Sequence, residues 1–261
     1  MTSSIDSNSA AARIAVVVPC YRVAAQVLNV LAAIPPMVSK IYCVDDACPE
    51  KSGDHISAHC QDPRVTVLRH VRNGGVGAAM LSGYRAALAD GMAIIVKLDG
   101  DGQMNPALIP RFVRLLLAGE ADYCKGNRFH RPASLVGMPP ARLFGNAVLS
   151  FLTKLSSGYW QTFDPNNGYT AIHASALRLL PLDAIDRGYF FESDMLCRLN
   201  IARAVVRDIP MDAVYGDEQS SLRIHRVITQ FAVKHVRNAA RRVLYNYYLR
   251  DFNLASIEAP L

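Results

Sequence analysis

Short apolar runs that repeatedly give way to polar loops constrain the fold of this chain more than any other feature. Four of them lie in the first 100 residues, at 14–20, 40–45, 64–69 and 92–98. They are rich in β-branched residues and end at proline or charged residues, which is typical of buried strands. Helical spacing follows the first run at 24–34 and the third at 74–91. This alternation predicts an α/β fold with a Rossmann-like, mostly parallel sheet and helices on both faces.

The second half of the chain departs from this simple alternation. Its predicted elements are a strand at 121–129, a flexible loop at 130–140, a helix at 141–158, a turn, strand and helix at 163–180, a helix at 189–204, a strand at 205–210 and a last element from about Leu222 to Tyr248. We therefore expect three regions. These are a flexible leader over 1–12, an α/β domain over 13–221, and a basic helix with its tail over 222–261.

Composition limits the compartment and the kind of partner. The length of 261 residues suits one large domain, and 51% hydrophobic residues are ample for a core. The six cysteines form no CxxC pair and no export signal precedes them, which favours a reducing, cytoplasmic compartment. No run of 18 apolar residues occurs, so no bilayer span is predicted. The stretch from Leu222 to Arg250 carries seven Lys and Arg residues and no acid, which indicates an anionic partner.

Asp99 and Asp101 follow the fourth apolar run one residue apart. Two carboxylates this close repel each other unless both are solvated in a turn or share a cation. A hard divalent ion such as Mg²⁺ or Mn²⁺ that carries a diphosphate fits this spacing, and Gln103 could add a neutral oxygen. A solvated Asp-Gly turn is the alternative. Polar clusters also follow the other strands, at 19–22, 45–46 and 73–77, and parallel strands bring such clusters to one edge of a sheet.

The glycine-rich segment RNGGVG at 72–77 fits two interpretations. It lacks the Lys-Ser/Thr of a P-loop and the spacing GxGxxG, so the glycines could contact a phosphate or simply form a tight turn. A dinucleotide-dependent oxidoreductase would need GxGxxG after the first strand, where the chain has PCYRVAA. A nucleic-acid-binding module, suggested by the pI of about 9.1, lacks a recognisable motif.

Seven motifs together carry a resemblance to a known family. In order they are VVVPCYR, VDDACPEKSGD, RNGGVGAAMLSGYRAA, LDGDGQMNP, KGNRF, DPNNGYTAI and FFESDM. The chain resembles the family 2 glycosyltransferases, which have the GT-A fold, and among them the polyprenol-phosphate sugar transferases of the dolichol-phosphate mannose synthase group. The resemblance covers about residues 14–225.

This resemblance implies a role for each matching residue. A base and ribose pocket would be lined by Pro19, Tyr21 and Asp46, and Asn73, Gly77 and Asp99 would also contact the nucleotide. Metal and diphosphate would be held by Asp99, Asp101 and Gln103, and the acceptor phosphate by Arg128, Arg131 and Arg142. Asp101, Arg128, Glu192 and Asp194 are the expected catalytic residues. Two positions depart from the family pattern: Val76 replaces a frequent Lys or Arg, and Ser193 separates the two acids Glu192 and Asp194.

The implied reaction is an inverting, metal-dependent transfer of a hexose from a UDP or GDP sugar to a polyprenyl phosphate. The enzyme would lie peripherally on the inner face of the cell membrane, and no nucleic acid would be involved. Transfer to a sugar hydroxyl in cell-surface polysaccharide synthesis is the alternative, and it would need a general base such as Asp194. The helix from Leu222 would lie on anionic lipid, although it could also pack on the catalytic domain with a solvated basic face.

Overall fold

The computed structural model describes residues 12–130, 140–165, 167–212, 224–250 and 252. Its central sheet has seven strands in the order β3-β2-β1-β4-β6-β5-β7. The strands are β1 (Ile14–Cys20), β2 (Lys40–Asp45), β3 (Val65–Arg69), β4 (Ile94–Lys97), β5 (Tyr123–Asn127), β6 (Thr170–His173) and β7 (Val206–Pro210). Strand β6 is antiparallel to β4 and β5, and all other neighbours are parallel, which confirms the predicted mostly parallel sheet.

Helices cover both faces of this sheet, as predicted. They are α1 (Val27–Ala32), α2 (Ser52–His59), α3 (Val76–Ala89), α4 (Ile109–Leu117), α5 (Pro140–Ser157), α6 (Ala174–Arg178), α7 (Phe191–Ile201) and α8 (Ile224–Val243). Side chains of β1 alternate between two cores: Val16 and Val18 pack with α1, α2 and α4, whereas Ala15 and Val17 pack with α3, α6 and α7. This two-sided burial explains why β1 is an uninterrupted apolar run.

Helices α2 and α4 are not predicted from the sequence. Helix α2 is short and begins with Ser52 and Gly53, which are poor helix formers and more typical of a turn. Pro106 opens the 3-10 helix at Pro106–Leu108 that precedes α4, and Pro110 lies in the first turn of α4 itself. Both are helix-start positions that do not need a backbone N–H. The predicted leader and the loop at 130–140 fall almost entirely on residues 1–11 and 131–139, which lie outside the described residues.

Helices α5 and α8 pack beside α7 with polar side chains on the inside. Thr153 and Ser156 of α5 are buried, as are His235 and Asn238 of α8, and Ser156 Oγ lies 2.8 Å from His235 Nδ1. Large apolar side chains face outward instead, namely Val148, Phe151 and Leu155 on α5 and Val233 and Val236 on α8. A helix on the surface of a water-soluble domain usually places its apolar side chains inside and its polar side chains outside. Exposed apolar patches such as this one commonly mark contact surfaces.

The basic side chains that the structure describes in α8 are divided between contacts with the rest of the protein and exposure at the surface. Lys234 pairs with Asp186, and Arg242 donates to the carbonyl oxygens of Leu155 and Ser156. Arg237 and Arg241 are exposed. The helix continues as a π-helix over Leu244–Arg250, where Leu244 and Leu249 are also exposed. Within the described part of the chain, no helix has the length and apolar character needed to cross a bilayer.

Candidate active site

A cleft of about 160 Å³ lies beyond the carboxyl ends of β4 and β5. Its polar lining consists of Asp99, Asp101, Gln103, Arg128, Asn167 and Gly168. Met104 and Met211 complete the wall. The structure therefore brings together the three residues predicted to hold a metal and one of the three arginines predicted to bind an acceptor phosphate.

The turn after β4 fixes the relative positions of Asp99 and Asp101. Gly100 packs against Val18 and Val23, where a Cβ would lie 3.2 Å from Val23 Cγ2. Gly102 has a φ of +81°, a conformation that side chains rarely adopt, and Gln103 N donates to Asp101 Oδ1 at 2.9 Å. Close packing at Gly100 and the positive φ at Gly102 therefore explain why both residues are glycine. The turn they form directs Asp99 and Asp101 towards the cleft.

Lys97 is a functional candidate that the sequence analysis did not single out. Its side chain is only 2% exposed, and its Nζ lies 2.9 Å from Asp99 Oδ1 and 3.2 Å from Glu192 Oε1. Burial alone would lower the pKa of Lys97, but the charges of Asp99 and Glu192 outweigh it and raise that pKa above its ordinary value. A lysine inside an apolar strand is the signal that could have revealed this cluster, because buried charges require partners.

The donor set of the cleft fits a hard divalent ion. Asp99 and Asp101 supply carboxylate oxygens, and Gln103 lies beside them in the same lining. Among the described residues, no three His, Cys, Asp or Glu side chains form a complete metal cluster. An ion such as Mg²⁺ commonly binds through one or two carboxylates, with water and substrate phosphates as its other ligands. These residues are consistent with such an ion in the presence of a diphosphate.

Arg128 is held in the cleft by Asp164. Its Nε donates to Asp164 Oδ2 at 2.7 Å and its Nη2 to Oδ1 at 3.0 Å, a two-point contact that fixes the guanidinium plane. The Arg128 side chain keeps 32% of its surface exposed, whereas that of Asp164 is 3% exposed. Arg131, also predicted to bind the acceptor, lies outside the described residues. Arg142 belongs to α5, but its side chain lies outside what the structure describes.

A second buried lysine lies two strands away from Lys97. Lys125 of β5 and Lys97 of β4 both pair with Thr170 of β6, so the two side chains point to the same face of the sheet. Lys125 Nζ donates to the carbonyl oxygen of Asn167, which lines the cleft. Burial lowers the pKa of Lys125 to about 8.

Three of the residues predicted to bind the nucleotide lie at the carboxyl ends of β1 and β2, namely Pro19, Tyr21 and Asp46. Pro19 lies within β1 and is half-buried, and Tyr21 directly follows β1 and is 44% exposed. Asp46 is buried, and its carboxylate accepts hydrogen bonds from Gly74 N at 2.9 Å and Gly75 N at 2.7 Å. These bonds attach the glycine-rich segment to the end of β2. A nucleotide contact of Asp46 remains a prediction.

The glycine-rich segment also packs closely against the loop before α7. Gly75 has a φ of +92°, and a Cβ there would lie 2.7 Å from the carbonyl oxygen of Arg187. A Cβ at Gly77 would collide with the carbonyl oxygen of Asp186. Packing therefore accounts for glycine at both positions, and the nucleotide contact predicted for Gly77 stays a prediction. Asn73 is exposed at the start of this segment.

The two acids of α7 point in different directions. Glu192 contacts Lys97 and is thereby linked to Asp99. Asp194 is 2% exposed and faces α8: its Oδ2 accepts from Arg198 Nε at 2.9 Å and its Oδ1 from Asn238 Nδ2 at 3.0 Å. The structure therefore brings Glu192, and not Asp194, towards the cleft. Asp194 instead joins α7 to α8.

Comparison with known proteins identifies the family. Residues 15–180 match the family model "Glycosyl transferase family 2". The chain is 32% identical over 178 residues to an undecaprenyl-phosphate mannosyltransferase from Micrococcus luteus, a match that covers 67% of this chain and 72% of that protein. It is 30% identical over 154 residues to a UDP-N-acetylglucosamine–dolichyl-phosphate N-acetylglucosaminyltransferase from Methanococcus voltae, covering 59% of this chain and 61% of that protein.

The fold resembles that of a solved enzyme with much lower sequence identity. This is glucosyl-3-phosphoglycerate synthase from Mycobacterium tuberculosis, crystallised with Mn²⁺, UDP-glucose and phosphoglyceric acid. The TM-score is 0.65 at 19% identity, and the match covers 88% of this chain and 79% of that one. The predicted GT-A fold is thereby confirmed. The chain belongs to glycosyltransferase family 2 and is a glycosyltransferase.

Proposed function

We propose that this enzyme transfers a hexose from a nucleotide diphosphate sugar to a polyprenyl phosphate at the membrane surface, with inversion at the anomeric carbon. The observation that carries the proposal is the single cleft that holds Asp99, Asp101 and Arg128. It combines a site suited to a metal-bound diphosphate with a fixed guanidinium suited to a second phosphate. Similarity to two enzymes named for transfer to lipid phosphates supports the same acceptor class.

The donor would bind along the carboxyl ends of β1, β2 and β4. Asp99, Asp101 and Gln103 would hold Mg²⁺ or Mn²⁺, whose charge would offset the charge that develops on the departing nucleotide diphosphate. Tyr21 is exposed next to this region and offers an aromatic face for a base. UDP and GDP are both compatible with these residues.

A phosphate acceptor would need positioning and no general base, because its attacking oxygen is already anionic. Arg128 presents its guanidinium in the cleft, and its two-point contact with Asp164 limits its rotation. A guanidinium held in this way suits the oxygens of a phosphate. The buried contacts of Asp194 argue against its service as a base, which further favours a phosphate over a sugar hydroxyl.

Attachment to the inner face of the cell membrane would bring the active site to its lipid acceptor. The outward apolar side chains of α5 and α8, together with exposed Arg237 and Arg241, support this part of the proposal. Interfacial surfaces combine apolar burial with attraction of basic residues to anionic lipid headgroups. Phe151 and Trp160 extend the apolar surface, with their rings 6.3 Å apart.

A panel of nucleotide sugars, each assayed with a polyprenyl phosphate and with EDTA, Mg²⁺ or Mn²⁺, would test the proposal. We expect one UDP or GDP sugar to give product only with a divalent ion. Asp101→Asn should reduce turnover at least about 100-fold without lowering the melting temperature, because Asp101 lies in a partly exposed turn. Product formation in EDTA, or preference for a sugar hydroxyl over the lipid phosphate, would contradict the proposal.

A further inference from the structure

The ion cluster formed by Asp99, Lys97 and Glu192 connects the acidic turn of the cleft to α7. Lys97 is the last residue of β4, and its ammonium lies between the two carboxylates, 2.9 Å from Asp99 Oδ1 and 3.2 Å from Glu192 Oε1. Glu192 is itself only 9% exposed. A buried ammonium is stable in such a place only with nearby negative charge, so the two acids fix its position.

Gly168 closes the cluster on the side of the cleft. A Cβ on this residue would collide with Lys97 Nζ and would lie 2.9 Å from Asp99 Oδ2. The bare backbone of Gly168 therefore covers the ion pair and leaves the ammonium no room to move towards the cleft. Asp99 is bound by Lys97 through Oδ1, and its Oδ2 lies next to Gly168, a residue of the cleft wall.

We infer that Lys97 is a positioning residue that orients Asp99 for binding of a divalent ion, and that Glu192 acts through Lys97 as its second anchor. This inference rests on the proposed function, in which Asp99 is a ligand of the ion. Groups that hold a ligand carboxylate in place typically contribute 10-fold to 100-fold to metal affinity. Glu192 has an additional effect: because it shares the charge of Lys97, Asp99 keeps negative charge for the ion.

The experiment measures Mn²⁺ affinity by electron paramagnetic resonance in the presence of UDP or GDP, and nucleotide affinity in EDTA by calorimetry. We expect Lys97→Met to weaken Mn²⁺ binding about 10-fold to 100-fold, with nucleotide affinity in EDTA within about twofold of wild type. Gly168→Ala should weaken Mn²⁺ binding as well, because the new methyl group crowds both the Lys97 ammonium and Asp99 Oδ2 without removing any charge. Glu192→Gln should have a smaller effect in the same direction.

Arg64→Met is the control, because it removes a partly buried cation from an ion pair with Asp62 beside edge strand β3, away from the cleft. Its Mn²⁺ affinity should stay within about twofold of wild type; an equal loss in this variant would overturn the specific role of Lys97. Wild-type Mn²⁺ affinity in both Lys97→Met and Gly168→Ala would also overturn it. Should Lys97→Met fail to fold, Glu192→Gln decides, since it retains Lys97 and adds no atom beside Asp99; wild-type Mn²⁺ affinity in that variant would then overturn the role of Lys97.

The wild-type protein separates this inference from the proposed function. Divalent-dependent nucleotide binding in wild type, combined with wild-type Mn²⁺ affinity in the Gly168→Ala and Glu192→Gln variants, would refute only the inference. If wild type binds no Mn²⁺ in the presence of either nucleotide, the proposed function fails and the inference fails with it.

Discussion

Arg128 and Asp164 form a two-point ion pair that joins the end of β5 to the loop before β6. The Arg128 Nε and Nη2 atoms lie 2.7 and 3.0 Å from the two oxygens of Asp164. Asp164 also accepts from the backbone N of Arg128 at 3.2 Å and from Asn167 Nδ2 at 3.2 Å. Asp164 thus organises two residues of the cleft, although its own side chain is almost completely buried.

Asp164→Asn should therefore weaken acceptor binding more than donor binding. The amide keeps the shape of the side chain but removes the charge that orients Arg128, so we expect the KM for polyprenyl phosphate to rise about 10-fold. The KM for the nucleotide sugar should change less than about twofold. Steady-state kinetics with each substrate varied in turn would measure both effects. Asp54→Asn, which alters an exposed pair with Arg69, serves as the control and should leave both values unchanged.

Asp194→Asn should act mainly on stability. Asp194 and Arg198 form a buried ion pair, and loss of the carboxylate leaves the guanidinium without its counter-charge. We expect the free energy of unfolding to fall by about 3 kcal/mol, measured by urea denaturation. The exposed pair of Asp183 and Arg85 offers a control, because Asp183→Asn should change stability by less than about 0.5 kcal/mol.

A catalytic role of Asp194 would give a different result. In that case Asp194→Asn would lose turnover by orders of magnitude at nearly unchanged stability. The pKa of the general base, which governs the fall of kcat at low pH, would also disappear from the profile. Retention of most of the turnover in the folded variant would instead agree with the contacts of Asp194 to Asn238 and Arg198.

Local patterns predict most of the sheet, because each strand up to β4 is an apolar run with a polar end. They do not predict its order. Strand β6 lies between β4 and β5 and runs antiparallel to both, and this arrangement depends on contacts between residues distant in sequence, such as Lys97 with Thr170. Hydrophobic periodicity carries information about the faces of a strand and not about its neighbours.

The same limit applies to the candidate site. The acidic pair Asp99 and Asp101 can be found from spacing alone, since both residues are close in sequence and follow one strand. Lys97 ends β4 and Gly168 precedes β6, so their contact joins residues that are distant in sequence and no local pattern reveals it. The two acids of α7 also look equivalent in sequence, and only the packing of α8 distinguishes Asp194 from Glu192.

His235 should make the stability of the protein depend on pH. This residue of α8 is 3% exposed and packs against Ser156 of α5 and Phe190 at the start of α7, and burial lowers its pKa from 6.5 to about 4. Because the unfolded chain takes up a proton at higher pH than the folded protein does, stability is complete above about pH 6.5 and falls as the pH drops towards 4. The full loss is on the order of 3 kcal/mol.

Urea denaturation between pH 7.5 and 4.5 would measure this effect. His235→Asn can retain a hydrogen bond to Ser156 without titrating, so it should lose roughly 2 to 3 kcal/mol less than wild type over this interval. The difference between the two proteins cancels the contribution of other titrating groups. Parallel pH profiles for the two proteins would contradict the assignment.

Binding to anionic vesicles should depend on the outward faces of α5 and α8. We expect the intact chain to co-sediment with vesicles that contain anionic lipid, and to dissociate as salt is raised. Arg237→Gln combined with Arg241→Gln should weaken binding by about 2 kcal/mol, or roughly 30-fold, since each basic residue near the surface contributes about 1 kcal/mol. Phe151→Ser with Leu155→Ser should weaken binding at every salt concentration, because it removes apolar area.

Val71→Ser, at a fully exposed position before α3, is the apolar control and should bind like wild type. If the intact chain does not bind at low salt, or if the variants bind as wild type does, α5 and α8 are not the membrane contact.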